Sequence, residues 1–407
     1  MNCRNCKKPL TQSFVDLGCA PYSNAYLTHR DLRKPERYYP LKVCVCEHCW
    51  LVQTSEYSRS EDLFTADYAY FSGTSKTWVE HTSQYYRHVK HLMNLHSDSF
   101  VIEIGSNDGC LLKHFFLDNI PCLGIEPTQS TAKAAEGLGL TVLQEFFSEK
   151  IGSTLKHTFG LADLIIGNNV LAHVPDITDF TRGLKAALKP RGIVTLEFPH
   201  LMRLISEKQF DTVYHEHFSY LSLNVVNNIF RNCGLRIWDV EELVTHGGSL
   251  RIYASHVENN DSIFSSVSSL INKENAFGLQ DLNTYSSFQH DVDQIKSRFV
   301  RFLTSLKDDG KSVAAYGAAA KGNTLLNYSG ITVDLLPYVC DASSSKQGKY
   351  LPGSHIPILD PSVLGERRPD YILILPWNIA SEIKEQNQEL LLRGTKFVTV
   401  LPELVIS

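Results

Sequence analysis

The chain has 407 residues, of which 43% are hydrophobic and 20% are charged, and its formal net charge at pH 7 is −5. The length predicts two or three domains in a globular protein, and the acidic balance argues against a nucleic-acid partner because phosphate binding needs a basic field. The sequence has no run of about 18 apolar residues that would span a membrane, and its start, MNCRNCKKPL, has no secretory signal pattern. We therefore expect a cytoplasmic enzyme.

The first 62 residues contain two CxxC motifs, Cys3 with Cys6 and Cys46 with Cys49. Paired CxxC motifs present four thiolates in the tetrahedral arrangement that structural Zn²⁺ takes, so they predict a small metal domain. Such crowding of cysteines at one end also argues against a disulfide framework. Two alternatives remain: Cys44 could replace Cys46 as a ligand at the cost of the CxxC spacing, or the motifs could be redox dithiols.

Residues 63–93 form an aromatic-rich connector that leads into a predicted helix. Tyr68 and Tyr70 precede the next sheet and could fold over its mouth as a lid. Aromatic packing in the core is the alternative interpretation.

An acidic glycine turn follows the apolar run FVIEI. A strand, a glycine turn and a helix begin a doubly wound nucleotide-binding unit, but Gly105 and Gly109 do not have the dinucleotide spacing. Glu103 and Asp108 flank the turn, and negative charge there suits the ammonium and sulfonium groups of S-adenosylmethionine. Glu126 ends the next apolar run, where a carboxylate can bind both ribose hydroxyls. The turn therefore predicts methyl transfer.

Strand and helix patterns alternate from residue 99 to residue 256, which predicts an α/β fold with a parallel sheet and an antiparallel tail. Asn169 follows one apolar strand at its carboxyl end, where ligands bind in open α/β sheets. His246 stands in a glycine-rich turn that could touch a ligand or simply reverse the chain. The predicted strands are 100–104, 122–126, 162–167, 193–198, 235–240 and 249–254.

The densest set of titratable side chains is the run Tyr214, His215, Glu216 and His217. One imidazole could act as a general base while the neighbouring carboxylate or phenol orients it or holds the substrate. The histidine spacing differs from HExxH, so a second metal site is disfavoured; hydrogen-bonded polar residues in a loop are the purely structural interpretation. His173 follows the strand that leads to the same sheet edge, and we expect it in the same cleft unless its role is structural.

The last third of the chain predicts a second nucleotide-binding unit. Residues 258–310 are predicted to form a helical bridge, and KSVAAYGAAAKGN then repeats the order strand, glycine turn, helix. Gly317 and Lys321 lie at this turn, and Asp341 ends the following strand. A helix N-terminus with a lysine is ready to bind an anion, which predicts a site for a phosphorylated acceptor; a purely structural sheet is the alternative.

These motifs, taken in order, resemble a known family. The paired CxxC motifs followed by EIGSNDG, GIEP, NNVLAHVPD, EFPH, YHEHFSYLS, HGGSLR, YGAAAKGN and KQGKYLPGSHIPI are similar to the three-domain C-methyltransferases that act on C3 of nucleotide-linked 4-keto-deoxysugars. The resemblance covers essentially the whole chain. It implies a zinc-binding domain at 1–62, an S-adenosylmethionine-dependent methyltransferase domain at 63–256, and a helical bridge with a Rossmann-like domain at 257–407 that helps to hold the nucleotide sugar.

The resemblance also implies residue roles, a structural zinc ion and a monomer whose partner is a small-molecule nucleotide sugar. Gly105, Asn107 and Asp108 would line the methionine part of the donor, Glu126 would bind its ribose, and Asn169 would lie beside it. The residues around the sugar would be Tyr68 or Tyr70, His173, Tyr214, Glu216 and His217, with His217 as the best candidate for the base and Tyr68 as the next.

The implied chemistry suits these side chains. A ketone at C4 acidifies the C3 proton, a base such as His217 removes it, and imidazole or phenol donors stabilise the enolate oxygen. The C3 carbanion then attacks the sulfonium methyl group. The alternative enzyme is an O- or N-methyltransferase acting on a nucleotide sugar or a related small molecule. The sequence also leaves open a zinc-ribbon adaptor with a degenerate methyltransferase domain and an enzyme that methylates RNA or protein.

Overall fold

The computed structural model describes residues 1–55, 60–64, 70–259 and 262–407, which form three β-sheets and the helices around them. Tyr68, one of the two predicted lid residues, lies outside these ranges. None of the helices within them is long and apolar enough to cross a membrane.

The first sheet carries the CxxC motifs and has three antiparallel strands from the N-terminal part of the chain. These strands are β1 (Gln12–Ala20), β2 (Tyr39–Val45) and β3 (Val52–Thr54). Phe14 of β1 stacks on Phe288 with ring centroids 4.5 Å apart. The first sheet therefore shares a hydrophobic core with the last third of the chain.

The second sheet has seven strands in the order β10-β11-β8-β7-β4-β5-β6, of which β6, β5, β4, β7 and β8 are parallel. Strands β11 and β10 add the predicted antiparallel tail, whereas the short β9 pairs with β3 of the first sheet. The predicted strand at 193–198 is longer than expected and begins at Leu188. The strands are β4 (Val101–Ile104), β5 (Cys122–Ile125), β6 (Val142–Leu143), β7 (Ala162–Asn168), β8 (Leu188–Pro199), β9 (Ser219–Tyr220), β10 (Leu235–Leu243) and β11 (Ser249–His256).

Helices cover both faces of this sheet, which is why its central strands are continuous buried apolar runs rather than alternating patterns. The helices in this part of the chain are α1 (Ser60–Leu63), α2 (Lys76–Leu92), α3 (Leu112–Leu117), α4 (Gln129–Gly137), α5 (Glu149–Thr158), α6 (Ile177–Ala187), α7 (Leu201–Ser206) and α8 (Leu223–Asn232). Of these, α7 packs in the core that the first sheet shares with the last third of the chain. Short 3₁₀ turns lie at Asp31–Arg33, Ser72–Thr74, Leu171–His173, Phe210–Thr212, Thr245–Gly247 and Trp377–Ile379.

The last third begins with the predicted helical bridge and ends in a six-stranded sheet of order β14-β13-β12-β15-β16-β17. All neighbouring pairs are parallel except the last, which is antiparallel. Its strands are β12 (Val313–Tyr316), β13 (Val339–Cys340), β14 (Ile358–Leu359), β15 (Tyr371–Ile374), β16 (Lys396–Thr399) and β17 (Val405–Ile406). The helices are α9 (Ser265–Phe277), α10 (Asn283–Ser286), α11 (Phe288–Asp308), α12 (Ala320–Ser329), α13 (Ser362–Arg367), α14 (Ala380–Gln386) and α15 (Gln388–Leu392). The fold is therefore the predicted α/β class, with two Rossmann-like sheets and a small N-terminal sheet.

Candidate active site and metal centre

The four predicted cysteine ligands meet beside the first sheet. The Sγ atoms of Cys3, Cys6, Cys46 and Cys49 all lie within 4.8 Å of one another, and the Cys3–Cys49 and Cys6–Cys46 pairs are each separated by 3.5 Å. Four thiolates at this spacing are the donor set of a closed structural zinc site. Cys44 lies outside the cluster on β2, and the described ranges contain no second cluster of three or more such side chains. The residues present therefore fit structural zinc.

A cavity of about 520 Å³ opens where strands β4, β5 and β7 of the second sheet end, and the start of helix α12 closes its other side. This is the carboxyl edge at which open α/β sheets bind ligands. The predicted site residues that line it are Tyr70, Gly105, Asn107, Glu126, Asn169, His173, Tyr214, Glu216, His217 and Lys321. The structure thus brings predicted donor, catalytic and acceptor residues into one cavity.

Glu126 is fixed at the end of β5 by the glycine turn and is only 5% exposed. Its Oε2 accepts a hydrogen bond from the Asn107 backbone N–H at 2.9 Å, and its Oε1 accepts from the Thr128 backbone N–H at 2.9 Å. The Thr128 hydroxyl also donates to Oε1, at 2.5 Å. An ionised carboxylate has about four acceptor sites, so capacity remains for a ligand hydroxyl.

The glycine turn packs closely against Val170, and the end of β7 has unpaired polar atoms available to a ligand. Gly105 has a φ of +65°, and a Cβ there would collide with the Val170 side chain. Both polar atoms of the Asn168 side chain and the Asn169 Oδ1 are buried without a hydrogen-bond partner among the described residues. Buried amides normally have partners, so these groups, together with Glu126, fit the amino-acid and ribose parts of S-adenosylmethionine.

Asn107 and Asp108 hold the segment that follows Tyr70 across the glycine turn. The Asn107 side chain accepts from the Ser72 backbone N–H at 2.9 Å and donates to the Tyr70 carbonyl at 3.1 Å. The Asp108 carboxylate accepts from the Gly73 backbone N–H at 2.8 Å. Asp108 therefore faces this segment and does not line the cavity.

His217 belongs to the HEH loop, which we define as residues 212–218, and it is 8% exposed. Its Nδ1 lies 2.8 Å from the Thr212 carbonyl oxygen. A carbonyl accepts but cannot donate, so the proton of a neutral imidazole lies on Nδ1 and the lone pair lies on Nε2. The loop thus holds the tautomer that a base acting through Nε2 requires.

Two aromatic side chains enclose His217. The Tyr214 ring lies 3.9 Å from it and the His173 ring 4.7 Å, measured between centroids. Burial, and to a lesser extent electrostatic repulsion from His173, holds the pKa of His217 well below its usual range. Burial also lowers the pKa of His173, to about 4. Burial also raises the pKa of Tyr214 well above its ordinary value. At neutral pH these three side chains therefore present two neutral imidazoles and a protonated phenol to the cavity.

Lys321, at the start of helix α12, brings a cation to the opposite side of the cavity. Its Nζ donates to Asn378 Oδ1 at 2.7 Å and lies 4.6 Å from the centre of the Trp377 ring. The Trp377 indole N–H donates to Asp211 Oδ2 at 2.7 Å. Burial raises the pKa of Asp211 to about 6 and lowers that of Lys321, with the attraction between the two opposing both shifts.

Four further predicted site residues do not line the cavity. Glu103 is 5% exposed on β4, where burial raises the pKa of its carboxyl well above the usual value. Side chains at Gly109 and Gly317 would collide with Leu140 and Pro376 respectively, so these glycines permit close packing. Asp341 accepts from the Ala318 and Ser343 backbone N–H groups at 2.7 and 2.8 Å, and so it shapes the second glycine turn.

The cavity also contains three polar residues that had no predicted role in the site, although His246 was a candidate for ligand contact. Asn24 comes from the first domain, Lys346 from the loop after β13, and His246 from the 3₁₀ turn before β11. Lys346 donates to the Ala318 carbonyl at 2.9 Å. His246 had a signal in its glycine-rich turn, and Lys346 in the motif KQGKYLPG, but nothing near Asn24 distinguishes it from other polar loop residues.

Family models match three segments of this chain. Residues 3–64 match a "zinc binding domain", residues 78–240 a "Methyltransferase domain", and residues 244–402 a "C-methyltransferase C-terminal domain". The first match spans the four cysteines of the cluster, and the second spans the glycine turn and the HEH loop.

One curated relative is the C-methyltransferase NovU of Streptomyces niveus, which is 32% identical over 98% of this chain and 95% of its own length. Part of this chain is also similar to solved structures. One is a SAM-dependent methyltransferase from Archaeoglobus fulgidus, with 14% identity and a TM-score of 0.37 over 45% of this chain and 95% of that chain. Another is magnesium protoporphyrin IX methyltransferase from Synechocystis PCC 6803 with bound SAH (14% identity, 44% of this chain and 83% of that chain, TM-score 0.35).

Proposed function

Because this chain belongs to the three-domain C-methyltransferase family, we propose that it methylates C3 of a nucleotide-linked 4-keto-deoxysugar through an enolate. Family membership confirms the predicted resemblance and both predicted cofactors, S-adenosylmethionine and zinc. The sugar substrate, the carbon that is methylated and the residue roles below are our proposals. We also propose domain ranges of 1–62, 63–256 and 257–407.

The observation that carries the proposal is the buried imidazole of His217 with its Nδ1 held by the Thr212 carbonyl. Transfer to carbon needs a base that removes a proton from a weak carbon acid, and a neutral, desolvated Nε2 suits that task. The donor turn lies in the same cavity. This shared cavity supports a single reacting centre at which the proposed base and the methyl donor would meet.

The chain's residues would act in the following way. The C4 ketone lets His217 Nε2 take the C3 proton, and the electron pair of the broken C–H bond passes through C3 to the C4 oxygen as an enolate. The Tyr214 phenol and the His173 imidazole are the donors that stabilise this oxyanion. S-adenosylmethionine, when bound, would supply the electrophilic methyl group: the enolate electron pair would form the C3–CH₃ bond as the S–CH₃ bond breaks, and the pair of the broken bond would stay on sulfur as a neutral thioether. His217 then releases its proton to solvent.

Lys321 and the N-terminus of helix α12 would hold the diphosphate of the nucleotide sugar. We expect Lys321→Met to raise the KM for the nucleotide sugar by about 10- to 100-fold, because a hydrogen bond to a charged group contributes roughly 1.5–3 kcal/mol. The dissociation constant of the donor should stay unchanged. Lys307→Met, at an exposed position of α11, is the matched control. An unchanged KM would place the diphosphate elsewhere.

Glu126 would bind the ribose hydroxyls of the donor. Glu126→Ala should weaken S-adenosylmethionine binding by about 10- to 100-fold, because hydrogen bonds to an ionised carboxylate are lost. Calorimetric titration of the purified variant measures this directly. Glu136→Ala, at an exposed position of α4, should bind the donor like the unsubstituted protein. Equal affinities in the two variants would remove Glu126 from the donor site.

The deciding experiment combines the protein, S-adenosylmethionine and a panel of dTDP- and GDP-4-keto-6-deoxysugars. Mass spectrometry should find a gain of one methyl group, and NMR should place it on C3. The same sugar in D₂O without donor should exchange its C3 proton for deuterium. O- or N-methylation of the sugar, without C3 exchange, would support the alternative reaction.

A further inference from the structure

The first domain holds the end of the HEH loop through backbone pairing. Strand β3 pairs with β9, which begins one residue after the loop, with Val52 opposite Tyr220 and Gln53 opposite Ser219. The Thr54 backbone N–H also donates to the Phe218 carbonyl at 3.1 Å. The strand that follows His217 is therefore part of the sheet that carries the cysteine cluster.

The cysteine cluster itself reaches the same carbonyl through Arg4. This residue lies between Cys3 and Cys6, is 8% exposed, and donates from Nη1 to the Phe218 carbonyl at 2.8 Å. Its guanidinium also lies 5.2 Å from the centre of the Phe218 ring. A buried guanidinium bond of this kind is charge-assisted and directional. Metal binding at the neighbouring cysteines would therefore fix the residue next to His217.

Asn24 contacts the HEH loop at its centre. Its Nδ2 donates to Glu216 Oε1 at 2.7 Å, Glu216 is 2% exposed, and both side chains line the cavity. The preceding carbonyl, that of Ser23, accepts from the Asn323 side chain at 2.6 Å. Because Asn323 belongs to helix α12, Asn24 is held between the loop and the helix that borders the proposed diphosphate site.

We propose that the zinc-binding domain positions the HEH loop for catalysis, with Asn24 orienting the Glu216 carboxylate and Arg4 holding the Phe218 carbonyl. Asn24 and Arg4 are positioning residues, because they act through the loop. The inference rests on the proposed function for its assay. Beyond the proposed function, it assigns the metal domain a role in holding the loop that carries the proposed base.

The isosteric variant Asn24→Asp tests the contact with Glu216. It replaces an amide donor by a carboxylate of the same shape, so packing is kept while two carboxylates face each other and share a proton as the pH falls. Relative to the unsubstituted enzyme, we expect kcat to fall about 100-fold at pH 8 and the deficit to shrink at least tenfold by pH 6. A structural role alone would give a deficit that does not depend on pH.

The titratable groups around Glu216 are expected to keep their protonation states between pH 6 and pH 8. Burial raises the pKa of Tyr26 and of Tyr214, and it lowers that of His173 to about 4. Lys346, whose Nζ lies 5.4 Å from the centre of the Tyr26 ring, has a raised pKa because Tyr26 and Asp341 together outweigh its burial. Any titration of the HEH loop that occurs in both the unsubstituted enzyme and the Asn24→Asp variant cancels in the ratio of their kcat values.

Gln12→Glu is the matched control, because it makes the same amide-to-carboxylate change in the same domain at a residue that does not line the cavity. It should leave kcat and its pH profile unchanged. A pH-independent ratio for Asn24→Asp, or equal ratios for the two variants, would overturn the proposal. If the unsubstituted enzyme transfers no methyl group to any sugar of the panel, the proposed substrate has failed and the ratio cannot be formed, which distinguishes the two failures.

Arg4→Ala tests the second contact, with zinc content measured by atomic absorption. We expect zinc to be retained, the donor dissociation constant to stay within about twofold, and kcat to fall about tenfold or more, since a buried charge-assisted bond is lost. Amide hydrogen exchange at residues 218–220 should accelerate at the same time. Normal kcat together with faster exchange would show that the loop end does not need to be fixed for catalysis.

Discussion

Replacing His217 with asparagine is expected to lower kcat about 1,000-fold and to abolish deuterium exchange at C3 of the sugar. The asparagine amide can still donate to the Thr212 carbonyl, which His217 Nδ1 contacts at 2.8 Å. Loop geometry is thus retained while the basic nitrogen is removed. Calorimetry should find the dissociation constant of S-adenosylmethionine unchanged, because His217 belongs to the acceptor side of the cavity.

His215→Asn is the control for this experiment. His215 lies in the same loop, but its Nε2 faces the Tyr39 carbonyl at 3.2 Å and its ring meets Tyr22 and Tyr39 outside the cavity. We expect its kcat to stay within about threefold of the unsubstituted value, since only a neutral hydrogen bond is lost. If His217→Asn retained C3 exchange, the base would be another group, and Tyr70 of the described residues would be tested next.

The pH dependence of the unsubstituted enzyme should also reflect a buried, neutral His217. Because burial holds the pKa of His217 well below its usual range, the neutral base persists as the pH falls through 6.5, where a solvent-exposed histidine would be half protonated. Loss of the base on acidification is therefore expected only well below pH 6.5. For the same reason C3 exchange should change little between pH 7 and pH 8.

Loss of the metal centre is expected to have the second large effect. Cys46→Ser should abolish zinc binding and lower the melting temperature of the first domain by more than about 10 °C, because structural zinc contributes on the order of 10 kcal/mol to folding of small domains. Zinc stoichiometry by atomic absorption and a calorimetric scan measure the two quantities. A chelator acting on the unsubstituted enzyme should reproduce the loss of stability.

Cys44→Ser is the matched control because Cys44 lies two residues away in the chain and is also buried, yet stands outside the cluster of four. It should retain one zinc ion per chain and shift the melting temperature by only a few degrees. Loss of zinc from this variant, with retention in Cys46→Ser, would reverse the assignment of the fourth ligand.

Much of the fold could be predicted from local patterns. The strands of the second sheet are continuous apolar runs, so β4, β5 and β7 stood within a residue of their expected bounds. The two CxxC motifs likewise specified a cluster, because each motif places its two thiolates close together before any tertiary contact forms. The tail of two antiparallel strands followed from the same reasoning.

Local patterns could not rank residues within a motif. Glu103 and Asp108 were both candidates beside the glycine turn, whereas Glu126 was expected separately at the end of the next strand. Glu126 does line the cavity, but Asp108 bonds to the Gly73 backbone and Glu103 is buried without lining it. Which way a carboxylate faces depends on the elements packed against its strand, and those come from distant parts of the chain.

The sequence by itself determined the fold class, the two CxxC motifs that form the cysteine cluster and many of the side chains that line the cavity, but not Asn24 or Lys346. Only the tertiary structure decided how they are oriented: Thr212 selects the lone pair of His217, and Asn24 and Arg4 reach the HEH loop across 192 and 214 residues of sequence. Periodicity and motif spacing report contacts between near neighbours in the chain. Contacts between domains leave no such pattern, because any polar loop residue that the fold carries to that position can make them.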